Sequence, residues 1–300
     1  MPREIPYVNY AVKDRDFKYY VFDWDDNILH MPTHIHLEAL QPDGTWVPHL
    51  VSTSLFSVIR TDTGHYRPPH GKWSEAFVEF HSEGDGIFLE DTRRALRDAV
   101  ADPSSAGPSF KTFRQTLVEG RIFAIVTARG HAPETIRRGV EEFIDIVLTP
   151  DERAEMMSNL RGYRASFDGT TNFGTDAEEL DFYLGLNRYH PVTSPQFVER
   201  LNNGRALDGN AEEGKRVAIR DFVEHVVRVV QRSAPDTRHR PFSIGFSDDD
   251  PKNVAAVQAY IEQELARYFP AIKFCVYDTS DPTLPKGRKV VVSGQLDFGF

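Results

Sequence analysis

The chain has 300 residues and a formal charge of −10, from 45 acidic against 35 basic side chains, with 40% apolar and 27% charged residues. This composition excludes a wholly disordered or collagen-like chain, and the negative field disfavours non-specific binding to nucleic acid or anionic lipid. The length suits one large domain, or one core with an inserted unit.

In chain order, the amino-terminal run Met1 to Pro6 has no apolar centre of a signal peptide. Tyr19-Tyr20-Val21-Phe22 is a short apolar run of the kind buried on both faces of a parallel sheet. It ends abruptly in Asp23-Trp24-Asp25-Asp26-Asn27. From Thr33 to Leu40 polar and apolar residues alternate, Gln41-Pro42-Asp43-Gly44 signals a turn, and Val51 to Ile59 reads as strand again. The pattern predicts a β-hairpin inserted after the first strand. Helices are predicted over 90–101 and 109–119. Arg121 to Thr127 is a second buried strand, and Pro133 opens a helix with Ile136, Val140, Phe143, Ile144 and Val147 on one face. Residues 162–180, with Gly162, Gly169 and Gly174, read as loop, and Asp176-Ala177-Glu178-Glu179 as a solvated acidic run. Phe182 to Leu186 reads as a short strand and 194–202 as a short helix. Residues 213–232 form a long amphipathic helix with a stripe of Ile219, Phe222, Val223, Val226, Val227 and Val230. Pro241 to Phe246 is a third buried strand, followed by Ser247-Asp248-Asp249-Asp250-Pro251, with Asp250 as a helix N-cap. Lys273 to Tyr277 is a last core strand holding Cys275, the only cysteine, so no intrachain disulfide forms. No apolar run is long enough to span a bilayer, and a soluble, reducing, cytoplasmic setting is expected.

Strands alternating with helices predict an α/β fold with a parallel sheet. The carboxyl ends of parallel strands share one edge, where such folds place their sites. That edge gathers Asp23, Asp25 and Asp26, then Thr127, then Asp248, Asp249 and Asp250. Converging carboxylates need a cation, and an all-oxygen set favours Mg²⁺ over zinc. A carboxylate beside such an ion is a candidate nucleophile on phosphorus, and Lys215 a candidate counter-charge.

Four runs occur in an order that resembles the haloacid dehalogenase-like superfamily, in its phosphatase branch. Val21-Phe22-Asp23-Trp24-Asp25-Asp26-Asn27 resembles the first motif of that family, and Ile125-Val126-Thr127-Ala128-Arg129 the second. Lys215 resembles the third, and Ile244 to Asn253, in its Asp-Asp-x-Pro-x-Asn form, the fourth. The resemblance implies a Rossmann-like core over 1–29, 86–150 and 206–300. Insertions would occupy 30–85 and 151–205, one or both forming a cap-like lid. It implies Asp23 as nucleophile, Asp25 as general acid and base, Thr127 and Lys215 as phosphoryl and charge ligands, and Mg²⁺ held by Asp23, the backbone carbonyl of Asp25, Asp248 and Asp249. The expected product is a phosphomonoesterase acting on a small phosphorylated substrate. Asn27, Ala128, Arg129 and His30 are candidate substrate contacts, Arg129 because guanidinium suits phosphate, although a salt bridge at the domain edge explains it equally well.

Two other readings stand beside it. One is a two-metal nuclease or nucleic-acid-end phosphatase, against which the acidic charge counts. The other is a non-catalytic phosphate-binding regulator on the same scaffold. His34 and His36 would share one strand face, which permits a metal site, although a polar hairpin face explains them as well. Trp24 would pack on substrate or on the insertion. The basic run from Arg228 to Arg240 lacks interleaved aromatics and reads as surface.

Overall fold

The computed structural model describes residues 17–81, 86–201, 211–232, 242–281, 283–284 and 287–293. The amino-terminal run and the Arg238 and Arg240 part of the basic run lie outside them.

The apolar runs become the strands of one six-stranded sheet. Its members are β1 (Phe17–Phe22), β5 (Phe123–Thr127), β6 (Arg188–Pro191), β7 (Phe242–Asp248), β8 (Lys273–Asp278) and β9 (Arg288–Ser293), in the order β6-β5-β1-β7-β8-β9. All neighbours pair in parallel except β9, which runs antiparallel to β8. Side chains of a strand alternate between faces. Tyr19, Val21, Ala124, Val126, Ile244 and Phe246 therefore enter one core, and Phe22, Phe123 and Ile125 the other. The first core is covered by α9 (Ala211–Arg232) and α10 (Pro251–Tyr260), and α10 runs on through a π-helical turn. The second is covered by α3 (Gly86–Ala101), α4 (Phe110–Val118), α5 (Pro133–Val147), α6 (Pro150–Asp168) and α7 (Asp176–Leu186). At its centre Phe113 meets Phe22, Phe123 and Phe143 at ring-centroid distances of 5.3, 5.2 and 4.9 Å.

Residues 30–81 build a second layer. Strand β2 (Ile35–Leu40) lies between β3 (Trp46–Val51) and β4 (Tyr66–Arg67), all antiparallel. The predicted hairpin is β2–β3, but only Val51 of the run to Ile59 is strand. Thr53–Ile59 forms helix α1, capped by Ser52, whose hydroxyl accepts from the Leu55 amide. The apolar residues Leu55, Phe56, Val58 and Ile59 already had helical spacing. Helix α2 (Trp73–Ala76) packs Ala76 with Ile35, Leu37, Val51 and Phe80 in a small core of its own.

Residues 150–201 also depart from expectation. The segment read as a Gly-rich loop holds two helices, and both begin with reciprocal capping boxes, Thr149 with Glu152 and Thr175 with Glu178. Gly169, at φ 73°, ends α6 in the left-handed region that favours glycine. The acidic run is the first turn of α7, where negative charge suits the helix dipole. Phe182 to Leu186 is helical, and the strand follows it as β6, paired with β5. The span read as a second insertion thus supplies an edge strand of the main sheet. Helix α8 (Pro195–Leu201) follows. No helix among the described residues is long and apolar enough to cross a membrane.

Candidate active site

The register of the sheet assembles the site. Phe22 pairs with Ser247, so Asp23 and Asp248 leave adjacent strands side by side. The Asp23 amide donates to the Ser247 carbonyl at 3.1 Å, extending the ladder one residue past β1. From the opposite layer α9 inserts Lys215, buried, with its ammonium 3.2 Å from Asp23 Oδ2 and 2.7 Å from Asp248 Oδ2. Asp23, Asp248 and Asp249 each bring a carboxylate oxygen within 4.8 Å of the others. Asp248 Oδ1 accepts from the Asp250 amide at 2.9 Å and from Asn253 Nδ2 at 3.3 Å, so the turn into α10 fixes its plane. Asp250 caps α10, accepting from the Lys252 amide, and stays outside the acidic group.

Burial pushes the Asp23 carboxyl up to about 8, with Asp248 and Asp25 adding to the effect against the pull of Lys215. Asp249 is pushed up to about 9 by burial and then by Asp248, Asp23 and Asp26. Burial alone would lower Lys215, but Asp23 and Asp248 overcome it and keep the ammonium charged. Asp25 pairs with Arg129, whereas Asp23, Asp248 and Asp249 share the single ammonium of Lys215, so burial and mutual repulsion hold Asp23 and Asp249 towards their protonated forms until a cation joins them. Among the described residues Asp23 Oδ1 is buried with no hydrogen-bond partner. An orphaned oxygen on a carboxylate clustered with two others fits the oxygen donor set of a divalent cation.

Asp25 belongs to a separate arrangement. Thr127, at the end of β5, donates its hydroxyl to Asp25 Oδ2 at 3.1 Å. Arg129 Nε lies 3.2 and 3.0 Å from the two Asp25 oxygens, and Nη2 lies 2.7 Å from Oδ1. Arg129 has no exposed surface, and its fork is occupied by protein partners rather than facing an open cleft. Ala128 is exposed beside it, and its carbonyl accepts from Thr193.

Other expected contacts are placed differently. Asn27 is fully buried. Its amide nitrogen donates to the carbonyls of Asp23 and Ser247, and its oxygen accepts from Ser109, Ser247 and Thr279. With every polar atom engaged, it is a strut binding the turn after β1 to β7 and to the loop after β8. His30 is half-exposed, 3.0 Å from Asp26 Oδ1, and stands at the rim. Asp26 has φ 56°, and its Oδ2 accepts from Thr53. Trp24 is buried on Phe88 and Phe113 and belongs to the core. Glu79 takes the His36 ring at 2.7 Å and the His34 amide at 2.8 Å, so the hairpin face is an acid–histidine network.

The second layer reaches the site at several points the sequence did not reveal. Thr53 bonds Asp26, Arg60 pairs with Asp250 at 3.0 Å, and Thr33 accepts from Arg129 at 2.8 Å. Residues 162–180 do not share in this. Tyr163, Arg164, Asp168 and Glu179 line a cavity with Phe17, Lys18 and Ile122, at the amino ends of β1 and β5, the opposite edge of the sheet. Those four residues of 162–180 thus line the opposite edge, whereas residues of 30–81 make the contacts with the site. Thr33, Thr53 and Arg60 carried no motif, and only their placement in the fold identifies them. Comparison with family profiles, with curated proteins and with solved structures returns no match.

Proposed function

We propose that the protein is a Mg²⁺-dependent phosphomonoesterase of the haloacid dehalogenase-like kind, working through an aspartyl phosphate on Asp23. The observation that carries this reading is the Asp23 carboxylate itself. It is buried, one oxygen is held by Lys215, and the carboxylate clusters with Asp248 and Asp249 while its other oxygen has no partner among the described residues.

Asp23, Asp248 and Asp249 would hold the ion. Once bound, Mg²⁺ would let Asp23 and Asp249 ionise beside Asp248 and would polarise the phosphoryl oxygens. In the first half-reaction an Asp23 oxygen bonds to phosphorus and the ester P–O bond breaks. Asp25 takes up a solvent proton as one of its guanidinium contacts is released, and passes that proton to the leaving oxygen. In the second, a water oxygen bonds to phosphorus, its proton passes to Asp25, and the Asp23 acyl–phosphate bond breaks to release inorganic phosphate. Lys215 offsets charge on Asp23 throughout, and the Thr127 hydroxyl sits where it can serve Asp25 or a phosphoryl oxygen. Segment 30–81 stands over the edge as a cap, tied by Thr53, Arg60 and Thr33, and excludes water from the transfer.

The test is phosphate release from an aryl monoester with and without Mg²⁺, with acid quenching to trap labelled enzyme. Wild type should turn over and carry label, and Asp23→Asn should do neither. Undiminished hydrolysis by Asp23→Asn would overturn the assignment. Cleavage of a diester with no labelled enzyme would point instead to two-metal nuclease chemistry.

A further inference from the structure

We propose that Arg129 is a positioning residue through which the inserted segment fixes the acid–base carboxylate of Asp25, an inference that rests on the phosphatase reading above. Both Asp25 oxygens take a guanidinium donor, and the Thr127 hydroxyl adds a third contact. The fork thereby holds Asp25 apart from the group of Asp23, Asp248 and Asp249, leaving its carboxylate free of the cation cluster.

The insertion supplies two sides of the socket around Arg129, and α3 supplies the rest. Nη2 donates to Thr33 Oγ1 at 2.8 Å, and that hydroxyl donates in turn to Asp91 Oδ2 at 3.0 Å. The guanidinium lies 4.8 Å from the Phe80 ring centroid and 5.0 Å from that of Phe88. The next residue, Gly130, donates its amide to the Phe80 carbonyl at 2.9 Å. A Cβ on Gly130 would fall 2.0 Å from His81 Nδ1, so the insertion closes directly onto this loop. Thr33 opens the inserted segment and Phe80 ends it, so Arg129 is gripped from both of its ends.

Two features argue against a purely structural pair. A buried ion pair gives little net stability. Among the described residues Nη1 is also buried without a partner, an arrangement that stability alone does not explain. Direct phosphate binding is equally disfavoured, because the guanidinium has no exposed surface. What the fork does well is hold a planar carboxylate in one orientation, which a lysine cannot do.

The experiment compares Arg129→Gln, Arg129→Lys and Thr33→Val with wild type, as full chains with Mg²⁺, on p-nitrophenyl phosphate and on glycerol phosphate. The first has a leaving group that needs little protonation, and the second needs the acid. General acid–base catalysis is worth about 10²–10⁴-fold, so Arg129→Gln should lower kcat on glycerol phosphate by about 100-fold and on the aryl ester by about tenfold. KM and the inhibition constant of inorganic phosphate should change less than about threefold. Arg129→Lys should recover part of the loss, and Thr33→Val should show the same selectivity at smaller size. Raised KM and weakened phosphate inhibition with unchanged kcat would overturn the proposal, placing Arg129 on the substrate. Equal losses on both esters, with a lowered Tm, would overturn it in favour of a structural pair. Wild type inactive on both esters would remove the phosphatase reading and this inference together. Wild-type turnover with either contrary pattern would remove this inference alone.

Discussion

At its carboxyl end β1 delivers Asp23 and Asp25 into a buried group of carboxylates. At its amino end the same strand lays Phe17 and Tyr19 against an apolar cavity of about 250 Å³, walled by Leu160, Tyr163, Phe182 and Tyr183. Charge is handled differently at the two edges. At the amino edge Arg164 reaches Glu179 at 3.0 Å, and Arg188 and the Leu186 carbonyl hold the His225 ring. At the carboxyl edge three clustered carboxyls, Asp23, Asp248 and Asp249, share one lysine, and burial pushes the pKa of two of them up. The difference teaches that stability and chemistry are separated along the strand axis, as expected of parallel sheets whose sites sit at the carboxyl ends. Substitutions at one edge should therefore leave the other largely untouched.

The largest effect expected is on turnover. Asp23→Asn should lower kcat by at least about 10³-fold on any monoester, the scale of losing a covalent nucleophile. The circular dichroism spectrum should be preserved. Loss of folded structure in this variant would break the comparison, by showing that the carboxylate supports the fold.

Next in size is the reverse case. Phe113→Ala removes a ring packed on Phe22, Phe123 and Phe143, and buried truncations of this kind cost about 3–5 kcal/mol. Urea denaturation should show that loss. At a temperature where the variant remains folded, KM should stay near the wild-type value. A shifted KM would mean that the core sets the shape of the site.

A third test concerns the clustered carboxyls. Mg²⁺ should raise the Tm of the wild type, because an ion bound to the folded state alone stabilises it by mass action. Asp249→Asn should raise the metal-free Tm by relieving repulsion with Asp248 and Asp23, and should blunt the response to Mg²⁺. A metal-free variant less stable than wild type would show that Asp249 is not under the repulsion its raised pKa implies.

The sequence made one edge far more legible than the other. Asp23, Thr127 and Asp248 each follow an apolar run, so the rule that parallel strands end together brought them to one place before any coordinates. Lys215 followed from the need for a counter-charge. Arg129 was legible as a residue of the site but not in its partner. Phosphate and carboxylate present the same acceptor geometry to a guanidinium, and only burial and the Asp25 distances distinguish them. Residues 162–180 read as loop because three glycines outweigh the two Thr-x-x-Glu capping signals at 149–152 and 175–178 that open the helices there. Thr33, Thr53 and Arg60 act through tertiary placement alone, which no local pattern encodes.

The smallest effect belongs to the amino edge and concerns pH. His225 accepts a 2.7 Å bond from Arg188 at Nδ1 and donates at 2.7 Å to the Leu186 carbonyl from Nε2. Burial, then Arg188, lowers its folded pKa to about 4. The unfolded chain binds its proton near 6.5, so between those values the unfolded state holds more protons than the folded one. Stability from this group is present above about pH 6.5 and is lost as pH falls towards 4. The loss amounts to roughly 1–3 kcal/mol for a shift of this size. Gln reproduces one acceptor and one donor without titrating. His225→Gln should therefore flatten the decline between pH 6.5 and 4 in urea midpoints, while the profile above pH 7 stays parallel to wild type. An unchanged acid limb would show that the Arg188–His225–Leu186 chain does not stay closed as the protein acidifies, and that the charge balance at this edge is looser than at the site.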